Sequence, residues 1–149
     1  MSGSSLTLVQ MCDAIEGKLS VASGIARSES YDELTEGQHE DLLLQVWPQS
    51  GSPVSTGSAT QKQTLGGDVI VEEIVFFADL YRPRRHLNED MKALVDGVDA
   101  IRTIMKAQDC PPFDLTGIRT FKWSWAIGSF EYQGVTDLRG RFTIVLNVF

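Results

Sequence analysis

Histidine and cysteine are scarce in this chain of 149 residues, which has two of each. Cys12 and Cys110 fall in or beside segments predicted to be helical and lack the close spacing of zinc or redox motifs, so we expect two reduced, structural thiols. His39 belongs to an acidic stretch and His86 to a basic turn, where no sequence pattern connects either imidazole to a nucleophile. We expect both histidines to lie at the surface without a catalytic role.

Motifs that hold metals or phosphates are also missing. Residues 39–41 read His-Glu-Asp, but consecutive side chains of an extended segment point in different directions and would need further ligands from elsewhere. Gly66 and Gly67 precede a predicted strand, whereas a phosphate-binding loop follows a strand and opens a helix. The sequence therefore predicts no enzyme activity, no metal site and no cofactor.

Positive charge and long apolar runs are limited as well. Thirteen Lys and Arg residues against twenty Asp and Glu residues give a formal net charge of -7, which opposes tight binding to nucleic-acid phosphates. The same charge favours solubility and suits a surface that nucleic acid passes without binding. No window reaches the ~18 consecutive apolar residues of a membrane span, and residues 1–5 do not resemble a secretory signal. We expect a protein that stays in the compartment where it is made.

The length predicts a single domain covering residues 1–149. Its first element is an amphipathic helix from Leu6 to about Leu19, with Ser5 as the predicted cap. The polar, acidic stretch from Gly24 to about Glu40 predicts a solvated loop.

A short strand is predicted at residues 41–47, where Leu42, Leu44 and Val46 share one face. Pro48 is expected to end it, because proline cannot donate the next hydrogen bond of the ladder. Residues 49–66 are rich in Ser, Gly, Thr and Gln, and have too little apolar surface to offset the entropy of ordering. They predict a flexible loop at about 49–66.

The next strand, predicted from Asp68 to Tyr81, is apolar on both faces. One face carries Ile70, Ile74, Phe76 and Leu80, and the other carries Val69, Val71, Val75, Phe77 and Tyr81. Both faces therefore require burial. Either the strand is central and covered by a helix on each side, or its second face contacts another subunit.

Three arginines follow this strand and form a basic cluster in an acidic chain. The first interpretation of this cluster is a solvated turn without a function. The second is forked pairing with carboxylates of a neighbouring copy, and the third is contact with phosphate. If the second face of the strand contacts another subunit, the cluster extends the candidate interface. That candidate interface consists of Val75, Phe77, Tyr81, Arg82, Arg84 and Arg85.

The rest of the chain predicts one helix and two strands. Asn88 is the predicted cap of a helix whose apolar stripe runs from Met91 to Met105. A strand at 120–127 and a strand at 141–149 each have one apolar face, and residues 131–140 are expected to turn the chain back between them. The aromatic face of the first, Phe121, Trp123 and Trp125, predicts core packing rather than a base-stacking platform.

These elements predict an α+β fold with a mixed or antiparallel four-stranded sheet and the element order α-β-β-α-β-β. The closing residues carry a more specific pattern. Residues 125–135 read Trp-Ala-Ile-Gly-Ser-Phe-Glu-Tyr-Gln-Gly-Val, and residues 138–146 read Leu-Arg-Gly-Arg-Phe-Thr-Ile-Val-Leu. A Tyr-x-Gly turn followed by a Gly-Arg step into a terminal strand resembles the tail terminator proteins of long-tailed bacteriophages.

The resemblance implies a sheet with two helices packed on one face, assembled into a homo-oligomeric, six-fold ring. That ring would cap the tail tube, contacting the tail tube protein on one side and the head–tail connector protein on the other. The resemblance also implies a location in the neck region of the virion tail, after assembly in the host cytoplasm, and a channel through which DNA passes without specific binding.

Two other functions remain open from the residues alone. Neck or tail-completion proteins of phages share the size and the assembly role. A small-molecule binding module would use a concave sheet face as its pocket, and it requires convergent polar groups.

Overall fold

The computed structural model describes residues 6–31, 42–54, 71–108, 111–132 and 134–149. Along the chain these residues form α1 (Leu8–Leu19), β1 (Ile25–Glu29), β2 (Leu42–Val54), β3 (Val71–Pro83), α2 (Leu87–Lys106), a short 3₁₀ helix (Pro112–Asp114), β4 (Ile118–Tyr132) and β5 (Val135–Val148). The strands form one mixed sheet in the order β1-β2-β3-β5-β4. The β1–β2 pair is parallel, and the other three neighbouring pairs are antiparallel.

The helix α1 confirms the first predicted element, but its cap is a different residue. Thr7, not Ser5, occupies the N-cap position, where its hydroxyl accepts a hydrogen bond from the backbone N–H of Gln10. The Gln10 side chain accepts from the backbone N–H of Thr7 in return, which completes a capping box. Buried residues at helical spacing, including Cys12 and Ile15, attach α1 to the core.

The helix α2 carries the predicted apolar stripe and lies close against the sheet. Leu94, Val98, Ile101 and Met105 are buried at helical spacing. The predicted cap at Asn88 is wrong: the helix begins at Leu87 with His86 at the N-cap position, and His86 makes no side-chain capping hydrogen bond.

Both helices pack on the same face of the sheet. One hydrophobic core contains α1, α2 and one set of alternating residues on the strands, and its largest fully buried sheet residues are Phe76 and Phe142. The α+β class is therefore confirmed. Among the described residues, no helix combines the length and the apolar content that a membrane-crossing segment needs.

The predicted four-stranded sheet and its element order are wrong, because β1 adds a fifth strand. The observed order is α-β-β-β-α-β-β. Residues 25–29 lie within the stretch predicted as a solvated loop, and their sequence, Ile-Ala-Arg-Ser-Glu, has no apolar alternation. Pairing with β2 and side-chain contacts hold β1 in place: Ser28 donates to the Glu16 carboxylate of α1, and the Gln45 amide donates to Glu29.

Pro48 does not end β2. The strand continues to Val54 through a register shift between Pro48 and Ser50, where a bulge accommodates the proline. The loop predicted at about 49–66 is therefore wrong over 49–54, and residues 55–66 lie outside the described part. The strand β3 likewise runs past Tyr81 to Pro83, because Arg82 and Pro83 still lie opposite residues of β5.

The β4–β5 hairpin confirms the last two predicted strands but is longer than expected. Residues 131–140 were predicted to form the connection, yet β4 extends to Tyr132 and β5 begins at Val135. Gly134, with a φ of 80°, lies between them, in a backbone conformation that glycine adopts without strain.

A close contact of α2 with the sheet depends on Gly140 of β5. A Cβ atom at this position would lie 2.7 Å from Cγ2 of Val98. We expect Gly140→Ala to lower the free energy of unfolding by about 1–3 kcal/mol, because the helix or the strand must move. The measurement is urea denaturation followed by circular dichroism.

Gly128 of β4 provides the matched control, since a Cβ atom there meets no atom within 4 Å. We expect Gly128→Ala to change the free energy of unfolding by less than about 0.5 kcal/mol. Equal effects of the two substitutions would contradict the close approach of α2.

Candidate interaction surface

The sheet face opposite the helices, here called the helix-free face, is partly apolar and partly exposed. Its residues alternate with the core residues along each strand. They include Leu43, Gln45 and Trp47 of β2, Val75, Phe77, Asp79 and Tyr81 of β3, Thr143 and Val145 of β5, and Lys122 and Ser124 of β4. No described helix covers this face, and Val75, Phe77 and Val145 remain partly exposed.

An ion pair with a fully buried carboxylate and a partly exposed guanidinium lies at the centre of this face. Asp79 and Arg141 are directly opposite each other on β3 and β5. The guanidinium holds the carboxylate in a forked arrangement, with Nε 2.8 Å from Oδ1 and Nη2 3.0 Å from Oδ2. The Asp79 side chain is 0% exposed although it lies on the helix-free face, because neighbouring side chains enclose it.

Aromatic side chains form part of this enclosure. The rings of Trp47 and Phe77 meet edge to face, with centroids 5.1 Å apart and planes at 84°. The Arg141 guanidinium carbon lies 3.9 Å from the centroid of Phe77 and 5.7 Å from that of Trp47. The cation therefore contacts the ring faces as well as the carboxylate, which stabilises its charge away from water.

Two further donors reach the same carboxylate. The hydroxyl of Tyr81 lies 3.1 Å from Oδ2 of Asp79, and Nε1 of Trp47 lies 3.4 Å from the same oxygen. Burial, followed by the negative charge of Asp79, raises the pKa of Tyr81 to about 12. The hydrogen bond to Asp79 raises the pKa of Arg141 above its usual value.

This cluster is built for rigidity rather than for proton transfer. Tyr81 stays protonated near neutral pH and cannot act as a base. The lone pairs of Asp79 are directed to Arg141, Tyr81 and Trp47, so the carboxylate is engaged at both oxygens. A carboxylate held in this way fixes the positions of three strands and displays the aromatic side chains above them.

The six predicted interface residues separate into three groups. Val75, Phe77 and Tyr81 do lie together on the helix-free face, as their alternation predicts. Arg84 and Arg85 are exposed in the turn beyond β3, at one end of the sheet. The backbone N–H of Arg84 donates to the carbonyl of Thr136, which attaches this turn to the beginning of β5.

The Arg82 side chain forms an ion pair within the chain, so it does not extend the candidate interface. Its Nε lies 2.8 Å from Oδ1 of Asp90, a buried residue in the first turns of α2. The other oxygen of Asp90 accepts the backbone N–H groups of Arg85 and His86 at 2.7 and 2.8 Å. Asp90 thus holds the residues that precede α2, and it fixes the turn that carries Arg84.

Sequence reasoning missed Trp47, Asp79 and Arg141. The one available signal was a charged residue, Asp79, within an otherwise apolar run. Its partner Arg141 is 62 positions away, so no short motif joins them.

The structure gives little support to other candidate sites. A depression of about 280 Å³ lies beside Leu8, Pro48, Ser50 and Glu72, at the lower limit of ligand pockets and with one charged residue in its lining. Within the described ranges, no group of three or more His, Cys, Asp or Glu side chains is placed to hold a metal ion. Residues 39–41 and Gly66–Gly67 lie outside those ranges.

Comparison of the sequence with protein-family models and with curated proteins finds no match. The fold and the helix-free face therefore carry the functional argument.

Removing the cation of the Asp79–Arg141 pair should lower the stability of the fold. We expect Arg141→Gln to lower the free energy of unfolding by about 3–5 kcal/mol, because Asp79 remains buried without its counter-charge. The exposed pair formed by Lys18 and Asp114, 2.7 Å apart, supplies the control: Lys18→Gln should cost less than about 1 kcal/mol. Urea denaturation measures both, and similar losses would show that the central pair is not a buried charge pair.

The Asp90 carboxylate predicts a stability change at low pH. Burial favours the neutral form, but hydrogen bonds from the backbone N–H of His86, from Arg82 and from the backbone N–H of Arg85 outweigh it and lower the pKa to about 2 from 3.8. Because the folded pKa is the lower one, the stabilisation is complete above pH 3.8 and disappears as the pH falls towards 2. Its size is about 2 kcal/mol.

We therefore expect Asp90→Asn to lower the free energy of unfolding at pH 7, and the difference from wild type to shrink between pH 4 and pH 2. Urea titrations at several pH values measure this difference. Asp96→Asn, on the exposed side of α2, is the control and should show a small difference at every pH. A difference for Asp90→Asn that stays constant down to pH 2 would contradict the role of the charged carboxylate.

Proposed function

We propose that this protein is a structural assembly protein of the tail terminator type. Copies of the chain form a closed, six-fold ring that caps the phage tail tube and joins it to the head–tail connector. The ring is a part of the virion, located in the neck region of the tail, and its role requires neither catalysis nor a cofactor.

The helix-free face is the observation that carries this proposal. Val75, Phe77 and Val145 form a partly exposed apolar area on the central strands, and both helices lie on the other side of the sheet. Partly exposed apolar area of this kind favours contact with another protein surface. The ion pair beneath it holds the strands rigid, so the surface does not have to order itself upon binding.

The exposed arginines supply a second type of contact. Arg84 and Arg85 lie at one end of the sheet, in a turn that Asp90 holds from below. Forked guanidinium–carboxylate pairing with an acidic neighbouring copy suits these two residues. An apolar face and a charged end at different positions make a head-to-tail contact possible, which is the type of contact that generates rings.

The charge of the chain is compatible with a DNA channel. A net charge of -7 opposes adhesion of phosphates, so DNA can pass through the ring without specific binding.

We expect the full chain to form a ring-shaped oligomer in sedimentation velocity and negative-stain electron microscopy, and Val145→Glu to disrupt it. Val145 lies opposite Val75 on one side and Lys122 on the other, so the new carboxylate has a cationic neighbour within the folded chain. In the assembly, the same carboxylate would be buried against an apolar surface, which is strongly unfavourable.

Val21→Glu is the matched control, because Val21 is an exposed valine remote from the sheet face, 76% accessible in the single chain. It should leave the oligomer intact. A ring that survives Val145→Glu would rule out the helix-free face as the contact, and a chain without rings that still binds tail tubes would favour the neck or tail-completion role.

A further inference from the structure

The outer edge of β4 is a long strand edge to which no described strand is paired. The strand ends the sheet, with β5 as its neighbour on one side only. Its backbone N–H and C=O groups on the other side therefore lack a described sheet partner. Natural proteins protect such edges with prolines, short length, bulges or charged side chains. In β4 the register shift is confined to the beginning of the strand, between Ile118 and Thr120, and Lys122 is an exposed charge near it. Residues 118–132 of β4 contain no proline, and the strand is one of the longest in the fold.

An apolar stripe accompanies this edge. Phe121, Trp123 and Ile127 lie on the helix side of β4 and are only partly buried against the core. Trp125, between them, is 46% exposed, and the guanidinium carbon of Arg102 lies 5.9 Å from its ring. The helix α2 lies mainly over β3 and β5, where Val98 packs close to Gly140. The helix covers β5 and leaves β4 partly uncovered.

We propose that β4 of one copy pairs with β4 of a second copy in antiparallel fashion, about a two-fold axis at Ser124. The pairing joins two sheets into one continuous sheet and supplies partners for the edge backbone groups. It is an isologous contact along the edge of β4, and not through the apolar centre of the helix-free face at Val75, Phe77 and Val145, so it goes beyond the proposed ring and does not depend on it.

The side chains of β4 are self-complementary in this register. Residues directly opposite each other lie on the same face of an antiparallel pair. With Ser124 opposite Ser124 of the second copy, Trp123 lies opposite the second Trp125, and Phe121 lies opposite the second Ile127. The two stripes therefore lie side by side on one face of the joined sheet and run in opposite directions. Aromatic cross-strand pairs are among the more stabilising pairs in sheets.

The charges of β4 select the antiparallel direction. Arg119 and Lys122 lie near its beginning, Glu131 lies near its end, and all three are exposed. Antiparallel pairing places the basic end of each strand beside the acidic end of the other, which is attractive. Parallel pairing in register would place Lys122 beside Lys122 of the second copy, and the like charges would repel each other.

The opposite edge of the sheet does not offer an equivalent partner. The strand β1 spans only residues 25–29 and carries an Arg27–Glu29 ion pair with 2.8 Å between Nε and Oε2. Short length is a feature by which native edges avoid pairing, and β1 is a third as long as the 15-residue β4. A second β4 is therefore the better match for β4.

Cysteine cross-linking tests both the pairing and its register. Ser124 is exposed, and directly opposite Cα atoms of paired strands are roughly 4.5–5.5 Å apart, within reach of a disulfide. We expect Ser124→Cys to form a covalent dimer on mild oxidation, seen on non-reducing gels. Ala126→Cys is the matched control, on the same strand and face, because its two copies would be about 13 Å apart and beyond disulfide reach.

Light scattering of the full chain supplies the second measurement. We expect the Val145→Glu chain, in which the proposed ring cannot form, to remain a two-chain species. Adding Trp125→Lys to this chain should reduce it to a single chain, and adding Val21→Lys should leave it unchanged, so the pairing is tested separately from the ring. The proposal is overturned if Ser124→Cys yields no more covalent dimer than wild type, if Ala126→Cys cross-links as well as Ser124→Cys, or if adding Trp125→Lys leaves the mass unchanged.

Discussion

The central strand β3 has two apolar faces, and the helices cover only one of them. Ile74, Phe76 and Leu80 are buried under the helices, whereas Val75 and Phe77 point to the other side. Because successive side chains of a strand alternate, no shift of β3 could bury both sets under the same helices. Within the described part of the chain, contacts between side chains of neighbouring strands stabilise the second face.

The Asp79–Arg141 pair meets this requirement. It joins β3 to β5 through two charge-assisted hydrogen bonds, while Trp47 brings in β2. Burial of a charge pair is a weak source of net stability, but breaking one is costly, so the arrangement favours one register of the strands over its alternatives. The same residues leave an apolar, partly exposed surface. The contacts that stabilise the helix-free face therefore also form the candidate interaction surface.

Much of this architecture follows from local patterns in the sequence. The 3.6-residue spacing of α1 and α2 and the two-residue alternation of β4 and β5 specify their inward faces, and the structure agrees with them. The strand β1 has no such pattern, since hydrogen bonds to Glu16 and Gln45 from distant parts of the chain determine its conformation. Pro48 failed as a stop signal because a bulge accommodates it. The central ion pair could not be predicted, because its two residues come together only through the β3–β5 register.

The two edges of the sheet differ, and this difference limits how copies can associate through strands. A head-to-tail chain of sheets would require β4 to pair with β1 of the next copy, and β1 is short and carries an ion pair. Strand pairing through β4 alone is two-fold and closes at two copies. A ring of more copies must therefore use a second surface, and the helix-free face is a partly apolar surface that strand pairing through β4 leaves uncovered. Edge pairing and ring formation thus require different residues, Trp125 for the first and Val145 for the second.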